Sequence, residues 1–257
     1  MSGASRYDQL RQRRVGGFTA HSSRLIVLAT FVLFTATWTG TAPAHSLTPA
    51  AVKPTQRLVA LRTAHAAFLE PGQEPTRIEL FRATRPLTGV RTVLPVVGDG
   101  TGANAAWLLV RLPGRPNGRT GWIKRVATIA MTTKWHIVVK TSSRRVIVYR
   151  NGRAVRTDKA IVGKASTPTP HGTFFVEEVI KLRARDAGAP FALALSARSN
   201  VLQEFNGGPG QIGVHGLSNV GGVLGTAVSH GCIRLANATM RWLVHRISPG
   251  VPVTITS

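Results

Sequence analysis

The chain reads as a mainly β protein: a small β module followed by a larger β-rich domain, with a helix close to its end. Three observations carry that reading. Short apolar runs recur between turn residues through most of the chain. An Asn151-Gly152 pair separates two strand-like segments, the signal for a two-residue hairpin. One stretch near the C-terminus spaces its apolar residues at helical intervals. With 257 residues, 43% of them hydrophobic, there is material for one large domain or for a medium and a small one.

Residues 1–44 read as an export signal. Arg6, Arg11, Arg13, Arg14 and Arg24 precede an apolar stretch from Leu25 to Trp38, and Ala42-Pro43-Ala44 offers a small-residue cleavage site. The stretch is shorter than the ~20 apolar residues of a membrane span, so removal is expected, with retention as an N-terminal anchor the alternative. The expected location is the cell wall or periplasmic space. Without the signal, 28 basic and nine acidic residues remain, a net charge of +19. A field of that sign draws polyanions, which for an exported protein are anionic wall polymers or a membrane surface. Nucleic acid is not an expected partner, because the Arg and Lys are dispersed and no nucleic-acid motif accompanies them.

Residues 45–56 are polar and suit a linker. Residues 57–128 form the small β module, with strand candidates at Ile78–Phe81, Val93–Val97, Trp107–Leu112 and Gly121–Ile123. Trp107 and Trp122 either line a groove or fill the core, and in so small a module the core is favoured. Met131-Thr132-Thr133 divides this module from the second unit, 133–257. There Trp135–Val139, Arg145–Arg150, Arg153–Arg156, Ala160–Val162, Thr173–Val179, Phe191–Leu195 and Val251–Ile255 are the strand candidates. Asn237 is placed to cap a helix whose Met240, Leu243, Val244 and Ile247 form the buried stripe, with His245 off the stripe and exposed. Residues 183–210, rich in glycine, are expected to border a cleft as loops.

The chemistry centres on the only cysteine. An exported chain usually pairs its cysteines or lacks them, so a lone Cys232 is a buried small hydrophobe, an intermolecular disulfide or a reactive thiol. Its neighbours favour the last. Ile212-Gly-Val-His215-Gly216 precedes Ser229-His230-Gly231-Cys232-Ile233-Arg234, which brings two imidazoles and a guanidinium near the thiol in sequence. A thiol at its ordinary pKa is only roughly 3% ionised at pH 7, so a nucleophilic cysteine needs help from His215 or His230. An imidazolium lowering the thiol pKa by two units would contribute about 2.7 kcal/mol of preference for thiolate. Gly231 permits a sharp turn that could aim its own amide and that of Cys232 at an oxyanion. Arg234 could grip a substrate carboxylate or brace the loop. A zinc site of His171, His215, His230 and Cys232 is the competing chemistry, but no tight ligand pair is present, and no metal or cofactor is expected.

Two family resemblances follow from these residues. The segment Trp107–Ile123, ending in Gly121-Trp122-Ile123, resembles the closing strands of bacterial SH3-like domains. Ser229-His-Gly-Cys-Ile-Arg234 with the upstream His215-Gly216 resembles the signature of YkuD-type L,D-transpeptidases. Val148-Tyr-Arg-Asn-Gly152 and Thr167-Pro-Thr-Pro-His-Gly-Thr-Phe174 support the second resemblance, which spans residues 135–257. It implies Cys232 as nucleophile, His215 as base, and the Gly216 carbonyl as the group orienting the imidazole. His230, Gly231 and Cys232 would shape the oxyanion site, while Ser229 and Arg234 support loop and substrate. The implied reaction is peptidoglycan cross-linking, in which Cys232 takes an acyl group from a tetrapeptide stem, releases D-Ala and passes the acyl group to an amine of a neighbouring stem. An L,D-carboxypeptidase and a non-catalytic wall-binding protein are the alternatives.

Overall fold

The computed structural model describes residues 52–205 and 207–257; the export segment and residues 45–51 of the expected linker lie outside the described residues. The N-terminal sheet holds β1 (Gln56–Leu61), β2 (His65–Phe68), β3 (Arg77–Phe81), β4 (Val93–Asp99), β5 (Trp107–Arg111), β6 (Thr120–Lys124) and β7 (Thr128–Thr133). Its order is β3-β2-β6-β5-β4-β1-β7. Trp107 is a core residue, 5% exposed and edge-on to Phe68, whereas Trp122 is half-buried. Met131-Thr132-Thr133, expected to divide the units, is instead strand. It continues β7 and pairs with Leu58, Arg57 and Gln56 of β1. At this edge of the sheet Met131 and Thr132 are exposed, while Thr133 is buried.

The larger sheet is built from β8 (Trp135–Lys140), β9 (Arg145–Arg150), β10 (Arg153–Lys159), β12 (Gly172–Lys181), β13 (Phe191–Arg198), β14 (Gln211–His215), β16 (Ile233–Arg234) and β17 (Pro252–Thr256). A two-stranded ribbon, β11 (Val162–Gly163) and β15 (Ala227–Ser229), flanks it. The β9–β10 turn has Asn151 at φ 52° and Gly152 at φ 74°, the left-handed pair that a type I′ hairpin requires. The helix α1 (Asn237–Val244) buries Met240 and Leu243, and Ile247 follows them into the core.

Alternation along β12 joins the sheets. Phe174 faces the core of the larger sheet and Phe175, its neighbour, enters the core of the N-terminal sheet. A bulge between Val176 and Glu178 then buries two successive carboxylates. Glu177 meets Arg85, Arg198 and Gln211, and Glu178 accepts from the backbone and hydroxyl of Thr88. Pro49–Ser257 clusters as one compact unit.

Candidate active site

The edge of the larger sheet places the residues. β14 pairs antiparallel with β13 and parallel with β16, in the register Val214↔Ile233 and His215↔Arg234. Ile212 and Val214 are buried on one side of β14, so Gln211, Gly213 and His215 fall on the other. Cys232 lies one residue before β16, and its Sγ accepts the Gly213 N–H at 3.4 Å. Thiol and imidazole therefore lie along one face of β14. Both line a cavity of about 200 Å³ with Gln211, His230, Arg234 and Phe205.

The imidazole is held from behind. His215 Nδ1 donates to the Gly216 carbonyl at 2.8 Å, which puts the ring proton on Nδ1 and leaves the Nε2 lone pair available. That carbonyl is fixed in turn. Gly216 N–H donates to the Gly188 carbonyl at 2.8 Å, Asn237 Oδ1 accepts from Leu217 N–H, and Asn237 Nδ2 donates to Ser218 Oγ, both at 2.8 Å. No side chain fits at Gly216, where a Cβ would stand 2.1 Å from the Ala189 carbonyl oxygen. Burial, followed by the charge of Arg234, pushes His215 below the ordinary imidazole range against the pull of the Gly216 carbonyl. Burial pushes the Cys232 thiol up, and this outweighs the Gly213 amide and Arg234, which both favour thiolate. Both shifts act in one sense, favouring the neutral thiol and the neutral imidazole over an ion pair of thiolate and imidazolium.

Ser229 organises the turn that carries the thiol. Fully buried, it donates from Oγ to the Cys232 carbonyl at 2.6 Å and accepts the Gly231 N–H at 3.2 Å. The Gly231 amide, one of the two expected to face an oxyanion, is thereby committed to Ser229. Among the described residues the amides of His230 and Cys232 have no partner. Gly231 takes φ +116°, which explains the glycine. The turn rests on threonines: Thr169 Oγ1 donates to the Gly231 carbonyl at 2.8 Å and Thr167 Oγ1 to the Ser229 carbonyl at 3.2 Å. His230 is exposed, its ring 5.4 Å from that of Phe205. Arg234 Nη1 donates to the carbonyls of Val220 and Gly221, so it braces that loop while also lining the cavity.

Residues 134–255 match the family model of the YkuD L,D-transpeptidase catalytic domain. The YkuD protein of Bacillus subtilis is 32% identical over 127 residues, which cover 48% of this chain and 67% of that relative. The chain belongs to the YkuD family of L,D-transpeptidases. L,D-transpeptidase 1 of Mycobacterium tuberculosis is 29% identical over 130 residues, covering 46% of this chain and 49% of that protein. A solved structure of the L,D-transpeptidase LdtMt1 in complex with imipenem aligns with a TM-score of 0.41 at 21% identity, covering 65% of this chain and 91% of that one.

Several residues of this YkuD domain take roles that the sequence reading did not assign. Asn237 is the first residue of α1, not its cap; Ala236 holds the cap position, and the amide of Asn237 secures Leu217 and Ser218 instead. Residues 183–210 are not all loop, since Phe191–Arg198 is the buried strand β13. The flanking segments do border the cleft, through Ala187 on one side and Ser199, Leu202, Phe205 and Gly210 on the other. His171 bonds Thr141 Oγ1 at 2.8 Å, and among the described residues no three His, Cys, Asp or Glu side chains are grouped as metal ligands, so the zinc alternative has no ligand set there. Thr167, Thr169 and Gly188 were within reach of sequence reasoning only as parts of turns. Their functional contacts run to backbone atoms distant in sequence.

Proposed function

We propose that the chain is an exported peptidoglycan L,D-transpeptidase in which Cys232 is the nucleophile and His215 its base. The observation that carries this reading is the placement of Cys232 and His215 along one face of β14 in one cavity, with Nδ1 tied to Gly216 and Nε2 free to take a proton. As Sγ attacks the carbonyl carbon of the third residue of a tetrapeptide stem, its proton passes to His215 Nε2. The amides of His230 and Cys232 face the oxyanion that develops. The C–N bond then breaks, the imidazolium gives its proton to the departing D-Ala amine, and a thioester remains on Cys232. An amine of a neighbouring stem attacks the thioester, His215 takes the amine proton, and that proton returns to the thiolate as the new amide is released. The N-terminal sheet, SH3-like by its Gly121-Trp122-Ile123 closing strand, and the net positive charge together suit retention on anionic wall polymers or a membrane surface.

Intact-protein mass spectrometry after exposure to a disaccharide-tetrapeptide tests the nucleophile. The expected adduct is the stem minus D-Ala, absent in Cys232→Ala; an adduct that persists in that variant refutes the assignment. Chromatography of the same reaction decides the acceptor: cross-linked dimers support transfer, tripeptide alone identifies a carboxypeptidase, and an unmodified protein identifies a wall-binding module.

A further inference from the structure

Beside the cleft, the N-terminal sheet reaches across to the catalytic domain through the turn between β5 and β6. Gly114 N–H donates to the Ser196 carbonyl at 3.2 Å. Asn117 forms a reciprocal pair with Arg198, accepting its N–H at 2.8 Å and donating to its carbonyl at 2.7 Å, and also donates to Asn200 Oδ1 at 3.0 Å. Between them, the Arg115 guanidinium donates to three carbonyls, those of Ser199 at 2.9 Å, Leu202 at 3.0 Å and Pro209 at 3.0 Å. These acceptors sit near the beginning, within, and at the end of the segment that forms one wall of the cleft. Gly210 packs so closely on this arrangement that a Cβ there would stand 2.0 Å from the Leu202 carbonyl oxygen and 3.1 Å from Arg115 Nη2.

We infer that Arg115 is a positioning residue for the substrate cleft: the N-terminal sheet, through this side chain and its neighbour Asn117, sets the wall against which the donor stem lies. The inference rests on the peptidoglycan reading given above and extends it, because it makes the N-terminal sheet part of substrate recognition. Within itself the wall is held by short-range hydrogen bonds, from the Val201 and Leu202 amides to Ser199 Oγ, from Ser199 N–H to the Gly210 carbonyl and between Phe205 and Gly208. Val201 and Phe205 are 52% and 43% exposed, and the segment holds three glycines, so buried apolar contacts contribute little to its order. Its Phe205 ring lies against His230, two residues before Cys232, so displacement of the wall reaches the edge of the thiol turn. A planar guanidinium can serve three carbonyls at fixed angles, while an ammonium on a flexible stem cannot hold the same three together.

The test compares the wild-type chain with Arg115→Ala, Arg115→Lys and Asn117→Ala. D-Ala release from a disaccharide-tetrapeptide gives kcat and KM, iodoacetamide gives the alkylation rate of Cys232, and hydrogen exchange reports the amides of Val201 and Leu202. Arg115→Ala is expected to raise KM about tenfold with kcat within about twofold, because the lost contacts act on substrate placement and not on the bond-breaking step. Alkylation, which uses only a small reagent, should be unchanged, the Val201 and Leu202 amides should exchange faster, and Arg115→Lys should recover part of the loss. An unchanged KM with unchanged exchange overturns the inference. Equal losses in kcat, alkylation and substrate affinity also overturn it, as they identify general loosening of the fold. If Arg115→Ala does not fold, Arg115→Lys and Asn117→Ala carry the same comparison. If the wild-type chain releases no D-Ala, the peptidoglycan reading falls, and the exchange measurement alone decides whether Arg115 holds the wall.

Discussion

The neutral state of the Cys232–His215 pair gives the sharpest prediction. Two groups favour thiolate at Cys232, the Gly213 amide and the charge of Arg234, yet burial outweighs both and leaves the thiol above its ordinary pKa. At pH 7 the thiolate fraction is then below the roughly 3% of an ordinary cysteine. Burial and Arg234 also keep His215 below the usual imidazole range, so no standing imidazolium offsets that cost. Iodoacetamide consumes only thiolate, so its rate with the wild-type chain should climb about tenfold per pH unit between pH 6 and 8, with no plateau. His215→Ala should preserve that slope, whereas D-Ala release should fall by roughly 10²–10⁴-fold, the range for loss of a general base. The acid limb of D-Ala release should lie below the ordinary imidazole value, because His215 must be deprotonated to accept the thiol proton and its pKa is lowered. A plateau of alkylation near pH 5 to 6 that disappears in His215→Ala would refute the argument, since it would reveal a preformed thiolate–imidazolium pair.

Three substitutions probe the supports around that pair. Gly188→Ala places a methyl 2.4 Å from His215 Nδ1 at a φ of +83°, so D-Ala release should drop by roughly 10²-fold while alkylation of Cys232 continues. Ser229→Ala removes the bonds to the Cys232 carbonyl and the Gly231 amide at a fully buried site, and urea titration should show a loss of about 2–3 kcal/mol. His136, buried between Gln56 and Thr254, has its pKa lowered to about 4 by burial. The unfolded chain then binds the extra proton first, so this stabilisation is complete above about pH 6.5 and declines as pH falls towards 4, by up to about 3 kcal/mol; His136→Gln should flatten that part of the stability–pH curve.

Side chains of unusual chemistry were legible in the sequence, and so were turns with a strict conformational demand. Cys232, His215 and Arg234 stood out by type and spacing, and Asn151-Gly152 announced its hairpin because few residue pairs accept two successive positive φ values. The short strands β2, β14 and β15 did not stand out, since three to five residues carry too little alternation to separate them from loop. Asn237 illustrates a different limit. Asparagine before an apolar helical stripe is a sound cap signal, but the same amide can serve a distant backbone, and the sequence holds no trace of where Leu217 returns in space. Gly231 shows the same limit from the other side. The need for a positive φ was readable, while the capture of its amide by Ser229 depends on how tightly the turn closes.

The boundary between the two sheets is where one-dimensional reasoning fails for a physical reason, and that reason yields a further prediction. Alternation tells that Phe174 and Phe175 point to opposite faces of β12, but not that each face has its own core. A fragment of residues 133–257 would expose Phe175, whose burial is worth about 1.5–3 kcal/mol, and would strip Glu177 of Arg85 and Glu178 of Thr88. Breaking a buried ion pair by removing one partner costs about 3–5 kcal/mol, so the combined loss is comparable to the 5–15 kcal/mol that holds a typical domain folded. Arg198 and Gln211 stay with Glu177 and limit the damage without restoring the cover over β12. The fragment should therefore lose its near-ultraviolet circular dichroism or melt far below the full chain, and Phe175→Ser with Glu178→Lys should improve it by making that face polar. A fragment that melts within a few degrees of the full chain would show that the shared strand is not a shared core, and that the N-terminal sheet is an appended module after all.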